Sequence, residues 1–381
     1  IKKAKSFKFD IQDKFKGGKL KDESQDKIIE ALNSLNNAKK PLVIIGAGCK
    51  QNNVGEELVK IFTELSIPMV FTWGSIDLLE SENLFNLGII GINGQRSANF
   101  SAYLSDVIIG FGTHFSDQIT GRERSLFAPN AKKYAFDIDQ KECERLKNFA
   151  SVINIDLREK LFFIIDYMKK NYKNRIYNKS NILSLKNLRN FDQNLDFEKD
   201  YVNILRLYSL VYKFADNNSI FVSDGGGNTF FSSLQNISLK SGQRSITSGG
   251  SGCMGSGIPH AIGAAISSKK KVFCFIGDGS MQFNIQELQT IKHHNLDITI
   301  FLINNAGYQA IIDTQNSYFN GNKFGVDQSS GLSLPNFKKV VNAYEISYES
   351  FSSDYQLSEK EIKRICLKNK NPKVIEILVK P

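Results

Sequence analysis

The stretch Val272 to Tyr308, VFCFIGDGSMQFNIQELQTIKHHNLDITIFLINNAGY, constrains the fold of this 381-residue chain more than any other feature. It holds two apolar runs, VFCFI and ITIFLI, each ending abruptly in small or polar residues, with a helix-length segment between them. A short run that is apolar at every position fits a strand buried on both faces, and strands alternating with helices close a parallel sheet. The first run delivers Gly277-Asp278-Gly279-Ser280 to its carboxyl end, and the second delivers Asn304-Asn305. The 27 residues from Asp278 to Asn305 amount to one helix plus one crossover. Adjacent parallel strands then bring both side chains to the same edge, where open α/β sheets bind ligands.

The residue types at that edge suggest its chemistry. Glycines let the backbone approach a phosphate, and a helix N-terminus presents free N–H groups with a positive dipole end. Asp278 supplies a hard oxygen for a divalent ion. Mg²⁺ takes octahedral oxygen coordination, which a carboxylate, the Asn305 amide oxygen, a backbone carbonyl and two phosphate oxygens nearly complete. Gly307 is the natural source of the carbonyl. A lone Gly-Asp-Gly is more often an ordinary turn; the coupled pattern of two strand ends is the specific signal.

The same αβ rhythm runs through the rest of the chain and predicts two doubly wound parallel-sheet domains. The first, 1–170, begins with a helix capped by Asp22 or Ser24 and running through Leu35. Its strands are expected at Pro41 to Ile45, Pro68 to Phe71, Val107 to Phe111, Lys133 to Asp137 and Val152 to Ile155. An Asn- and Lys-rich connection, 171–198, leads to the second domain, 199–381. There a helix at Val202 to Ala215 precedes strands at Ile220 to Ser223, Lys271 to Ile276, Ile298 to Ile303 and Val374 to Val379.

Composition narrows the function classes. Hydrophobic residues at 41%, with 28 Phe and 13 Tyr, suffice for two cores, and 23% charged residues argue against disorder. No apolar run approaches the roughly 18 residues of a membrane span, and IKKAKSFKFD lacks the apolar core of a signal peptide. The five cysteines are far apart with no CxxC pair, so they read as reduced thiols of a cytoplasmic protein. The net charge of +10 raises the question of nucleic acid. The cations are scattered, however, and the dense stretches Lys2 to Lys21 and Lys169 to Lys179 lack the aromatic spacing of an RNA-binding motif. Neither nucleic acid nor membrane is an expected partner.

The strand-GDG-helix-strand-NN pattern resembles the thiamine diphosphate signature of the acetolactate synthase and pyruvate decarboxylase superfamily. The likeness extends to Ser248 through Gly257, SGGSGCMGSG, which is similar to the segment facing the middle of the cofactor. It implies that Met254 forces the two cofactor rings into a V and that the Gly252 carbonyl accepts from the aminopyrimidine. Asp224-Gly225-Gly226-Gly227-Asn228 resembles the first diphosphate-contacting loop, although acetolactate synthases carry Gln and His where this chain has Gly227 and Asn228. The resemblance thus implies cofactor contacts from Gly226, Gly227, Asn228, Gly252, Met254, Gly277, Gly279, Ser280 and Tyr308. Asp278, Asn305 and Gly307 would hold Mg²⁺.

The first block looks like the middle domain of acetolactate synthase, which holds FAD as a structural cofactor. The matching pieces are Gly46-Ala47-Gly48, Leu87 to Gly94, Gly112 to Gly121 and Asp137-Ile138-Asp139. FAD or another nucleotide is therefore a candidate occupant. Two departures are His114, where the family usually has Arg, and the loop Thr72-Trp73-Gly74-Ser75.

The resemblance covers two of the family's three domains. The third, an N-terminal pyrimidine-binding domain, contributes the Glu that protonates the aminopyrimidine, so no catalytic residue is expected in this chain. A start at Ile1 without an initiator Met reads as loss of an upstream segment, and the chain alone would be inactive. Family architecture implies a homodimer or tetramer. Pyruvate decarboxylase-like relatives place a catalytic Glu six residues after the double Asn, where this chain has Ile311. An apolar residue there suits a carboligase, because no acid stands ready to supply a proton after CO2 leaves. The Trp that shapes the acceptor pocket of acetolactate synthases corresponds to Thr314, so the acceptor need not be pyruvate or 2-oxobutyrate. The expected function is a thiamine diphosphate- and Mg²⁺-dependent carboligase that decarboxylates a 2-oxo acid and passes the product to a second carbonyl. The alternatives are a simple 2-oxo acid decarboxylase and a non-catalytic nucleotide-binding relative.

Overall fold

The computed structural model describes residues 23–51, 53–172, 179–189, 200–367 and 371–380. The described residues form two six-stranded parallel sheets. The first contains β1 (Pro41–Ile45), β2 (Met69–Phe71), β3 (Asn86–Ile89), β4 (Val107–Phe111), β5 (Lys132–Asp137) and β6 (Ser151–Asn154) in the order β3-β2-β1-β4-β5-β6. The second contains β7 (Ile220–Ser223), β8 (Arg244–Thr247), β9 (Val272–Gly277), β10 (Ile298–Asn304), β11 (Ser347–Phe351) and β12 (Lys373–Leu378) in the order β11-β12-β10-β9-β7-β8. The chain reverses direction across the first sheet between β1 and β4, and across the second between β7 and β9. Loops leaving neighbouring strands diverge at such points and open a crevice.

The strands β1, β4 and β7 are buried at every position and β9 and β10 at all but their last, as continuous apolar runs require. Three strands are not foreshadowed in the sequence: β3 (NLGI), β8 (RSIT) and β11 (SYESF). Each lies at the edge of its sheet. An edge strand has a neighbour on one side only and tolerates polar residues, so its apolar signal is weak. In the second sheet, Phe221 stacks on Phe273 with centroids 5.6 Å apart, and Phe275 stacks on Phe301 at 5.5 Å. Tyr208 meets Phe275 edge-on at 4.8 Å. Such pairs each add about 0.5–1.5 kcal/mol beyond their burial.

The first helix spans Glu23–Asn37, and Ser24 lies within its first turn rather than capping it. Asp22 and the basic stretch Lys2 to Lys21 lie outside the described residues. Within the connection at 171–198, a helix covers Lys179–Asn187 and buries Ile182 in the apolar cluster of the first sheet. Residues 173–178 and 190–198 lie outside the described residues.

The two domains meet along a polar seam. The Ser81 N–H donates to the Leu239 carbonyl at 2.7 Å, and the Leu239 N–H donates to Ser81 Oγ at 2.8 Å. Arg189 donates to the Ser81 carbonyl at 3.0 Å and to the Ile237 carbonyl at 3.1 Å, bridging both sides. The strongest tie is Asp77, whose side chain is 1% exposed. It accepts from Lys50 Nζ at 2.6 Å, from Arg244 Nε at 3.0 Å and from the Ser245 N–H at 3.2 Å. Asp77→Ala leaves those donors without their acceptor. Breaking a fully buried pair costs about 3–5 kcal/mol; the part-exposed cations reduce that here to about 2 kcal/mol. The expected result is a lower midpoint in urea denaturation, and an unchanged midpoint would show that Asp77 does not hold the seam.

Candidate active site

A cavity of about 420 Å³ opens at the carboxyl ends of β7, β9 and β10, at the switch point of the second sheet. Its wall is unusually bare. Gly225, Gly226, Gly227, Gly249, Gly250, Gly252, Gly277, Gly279 and Gly307 all line it, exposing backbone where side chains would otherwise fill the space. Gly225 is required sterically by neighbouring backbone, and a side chain on Gly279 would have to displace the Tyr308 ring. A Cβ on Gly225 would stand 2.4 Å from the Gly252 carbonyl oxygen, and one on Gly279 would stand 2.0 Å from the Tyr308 ring.

The strand register brings the two motifs together. Ile303 pairs with Gly277, so the next residues of β9 and β10 emerge side by side. Asp278 is 1% exposed. Its Oδ1 accepts from the Gly279 N–H at 2.5 Å, and its Oδ2 accepts from the N–H groups of Asn305 at 3.1 Å and Gly307 at 3.2 Å. Burial pushes the carboxyl up to about 6, against the pull of those N–H donors. Asn305 gives its amide nitrogen to Gln309 Oε1 at 3.5 Å, leaving its amide oxygen for the cavity.

All twelve residues singled out in the sequence line this one cavity: Gly226, Gly227, Asn228, Gly252, Met254, Gly277, Asp278, Gly279, Ser280, Asn305, Gly307 and Tyr308. Asp224, quoted in the sequence only as the start of a loop, has a larger part than that. It is fully buried, and its oxygens accept from the N–H groups of Gly257 at 2.7 Å and Gly255 at 3.2 Å. The Ser280 hydroxyl also donates to it. One carboxylate therefore ties together the loops after β7, β8 and β9, and burial raises its pKa. Two titratable residues of the segment after Gly279 have local roles: Glu287 accepts from Thr290 at 2.8 Å, and His293 ends a helix.

Residues 225–377 match the C-terminal TPP binding domain of thiamine pyrophosphate enzymes, and residues 28–161 match their central domain. The chain belongs to the thiamine pyrophosphate enzyme family. It is similar to the acetolactate synthase large subunit of Buchnera aphidicola subsp. Schizaphis graminum, at 29% identity over 89% of this chain and 58% of the relative. It is similar to acetolactate synthase isozyme 1 large subunit of Escherichia coli K12 at 28% identity, over 84% of this chain and 55% of the relative. A probable acetolactate synthase large subunit of Methanococcus aeolicus is 29% identical over 87% of this chain and 57% of its own length. The chain thus spans a little over half the length of each of these three relatives.

In this thiamine pyrophosphate family member the central domain also reaches the cavity, through Trp73 and Gln118. Trp73 packs edge-on against Phe230 with centroids 5.2 Å apart. It also lines a second crevice of about 380 Å³ at the β1/β4 switch point, together with Gly48, Gly112, His114, Asp137 and others. Leu87 to Gly94 is not part of that wall; its Gly91 and Ile92 line a separate shallow cavity. Thr314 is exposed and caps back onto the Ala310 carbonyl, whereas Ile311 does line the main cavity. No described helix is long and apolar enough to cross a membrane.

Proposed function

We propose that the chain is the central and diphosphate-binding part of a thiamine diphosphate- and Mg²⁺-dependent carboligase acting on a 2-oxo acid. The observation that carries this reading is the convergence of Asp278, Asn305 and Gly307 at one glycine-lined edge, inside a TPP binding domain match. Among the described residues no group of three or more His, Cys, Asp or Glu could hold a metal. One carboxylate, one amide oxygen and one carbonyl instead form the incomplete, all-oxygen set that Mg²⁺ completes with phosphate and water. The donor set fits that ion. Asp278, Asn305 and the Gly307 carbonyl would hold it, while Gly226, Gly227, Asn228, Gly277, Gly279, Ser280 and Tyr308 would receive the diphosphate. Met254 and Gly252 would contact and orient the cofactor between its two ends. Thiamine diphosphate, when bound, supplies the carbanion chemistry of decarboxylation and transfer.

The protein's own contribution is positioning and exclusion. Ile311 keeps an apolar surface, where an acid would hand a proton to the product of decarboxylation. This favours transfer to a second carbonyl over release of an aldehyde, and the curated relatives carry acetolactate synthase names. The site is open on one side. Helix Gln309–Tyr318 buries none of its residues, and Met254, Ile311 and Phe283 are 38, 48 and 59% exposed. We read this rim as the seat of a pyrimidine-binding domain that supplies the catalytic Glu, in a homodimer or tetramer.

FAD does not fit the central-domain crevice. The N–H groups of Gly46 and Gly48 are already committed to the carbonyls of Phe111 and Gly112. His114 Nδ1 lies 3.0 Å from Glu142, and Asp137, raised in pKa by burial, faces the same space. The cations beside it are paired: Lys50 with Asp77, Arg145 with Glu142, and Arg158 with Asp156. Among the described residues no Lys or Arg lines the crevice, so a flavin diphosphate would meet no cation on its wall. The expected result is purified protein without a flavin absorption band near 450 nm, and stoichiometric flavin would contradict it.

The functional test is CO2 release and product mass from the full-length protein with thiamine diphosphate and Mg²⁺. Pyruvate is offered alone and then with a panel of aldehydes and ketones. A ketol product supports the carboligase, and free aldehyde supports the simple decarboxylase. Cofactor binding without turnover on any 2-oxo acid offered would overturn the proposed reaction.

A further inference from the structure

Glu376 lies on β12, outside the cavity, and is 8% exposed. It has no place in the chemistry described above, yet three donors converge on it. Asn304 Nδ2 donates to Oε1 at 2.8 Å, the Tyr348 hydroxyl donates to Oε2, and Ser350 Oγ approaches Oε2 at 3.4 Å. Its position follows from the sheet, because β12 lies directly beside β10 with Asn304 paired to Leu378.

The consequence lies at the other end of the Asn304 amide. Its Oδ1 accepts from the N–H of Ala306 at 3.0 Å, an Asx turn that bends the chain two residues on. Within that bend Ala306 has φ +61, a left-handed conformation uncommon for a residue with a side chain. The bend turns the backbone so that the N–H groups of Asn305 and Gly307 both point at Asp278 Oδ2. An amide has a donor end and an acceptor end that can exchange by rotation about χ2. A carboxylate accepts only, so Glu376 holds the Nδ2 end toward itself and the Oδ1 end toward Ala306. Tyr348 and Ser350 fix the carboxylate in turn.

We propose that Glu376 is a positioning residue: through Asn304 it sets the 304–307 turn that places the Asn305 side chain and the Gly307 carbonyl for the cation. This rests on the Mg²⁺ and thiamine diphosphate reading for its purpose, but the turn itself can be tested without either ligand. Outer-shell partners of metal ligands typically change affinity 10- to 100-fold when removed.

The experiment compares wild type with Glu376→Ala, Glu376→Gln, Asn304→Ala and the Glu376→Ala/Asn304→Ala double variant. The first readout is hydrogen exchange of the metal-free protein, resolved to residues 305–307. The second is Mn²⁺ affinity in the presence of thiamine diphosphate, followed by electron paramagnetic resonance. Glu376→Ala should speed exchange at 305–307 by about 10-fold or more, leave β9 unchanged, and weaken Mn²⁺ binding by about 10- to 100-fold. Glu376→Gln keeps the volume and changes both readouts less, in the same direction. The double variant should be no worse than Asn304→Ala, because both act on one turn. Unchanged exchange at 305–307 in both Glu376 variants overturns the proposal. So does an equal increase across β9, which would mark general loosening. Faster local exchange in a protein whose wild type binds no Mn²⁺ would uphold the positioning role and sink the metal reading instead.

Discussion

Asp278→Asn is expected to weaken Mg²⁺-dependent thiamine diphosphate binding more than about 100-fold, because loss of an outer-shell partner alone costs 10- to 100-fold. Among the described residues Asp278 is the only carboxylate lining the cavity, so a neutral isostere removes the whole formal charge facing a divalent ion. The same substitution should leave a signature in the ligand-free protein. Burial raises the Asp278 pKa from 3.8 to about 6, so the folded state holds that proton more tightly than the unfolded chain. Its contribution to stability is then fully present below about pH 4 and is lost as pH rises through about 6. The size is on the order of 2–3 kcal/mol at pH 7. The difference in thermal midpoint between wild type and Asp278→Asn should therefore move against wild type between pH 4 and 6, then level off. Saturating Mg²⁺ and cofactor should reverse it. A flat difference across that range would show that burial does not raise its pKa, and unaltered cofactor affinity in the variant would show that Asp278 is not a ligand.

Gly46→Ala should be the most destabilising single-methyl change in the first domain, costing about 3 kcal/mol or more. The added Cβ would lie 1.9 Å from the carbonyl oxygen of Gly112 and 2.5 Å from the Thr113 Cα. Both are backbone atoms, so no side-chain rotation can relieve the contact. The turns after β1 and β4 would have to part, breaking the bond from the Gly46 N–H to the Phe111 carbonyl at 2.8 Å and with it the core contact of Cys49 beneath. Chemical denaturation should show a large drop in midpoint, while a variant of wild-type stability would mean that the two turns are not in contact.

Gly46 also shows what a sequence leaves open. A Gly-Ala-Gly after a strand reads as room for a nucleotide's phosphates; Ala47 and Gly48 do line the crevice, whereas Gly46 makes room for another turn of the same protein. A sequence shows that a Cβ is absent; it does not show which atom occupies the space. The diphosphate edge was far more legible, because two strand ends at a fixed spacing constrain each other, and the register of β9 against β10 realises that constraint. Asp224 and Glu376 were illegible for the opposite reason. Their partners, Gly255 and Gly257 for one and Asn304 for the other, lie 31 to 72 residues away, and no local pattern announces such a contact. The central strands were legible through continuous burial, whereas the edge strands β8 and β11, part-exposed and partly polar, carried no such signal, and β3, although buried throughout, is only four residues long with an Asn and a Gly among them.

The glycine-lined edge of the second sheet is expected to bind a diphosphate through a divalent cation. Calorimetric titration of the full-length protein with thiamine diphosphate, in Mg²⁺ and again in EDTA, tests it most directly. Saturable binding near one site per chain in Mg²⁺, abolished by EDTA, is the predicted result. No binding in Mg²⁺, or binding of equal strength in EDTA, would contradict it.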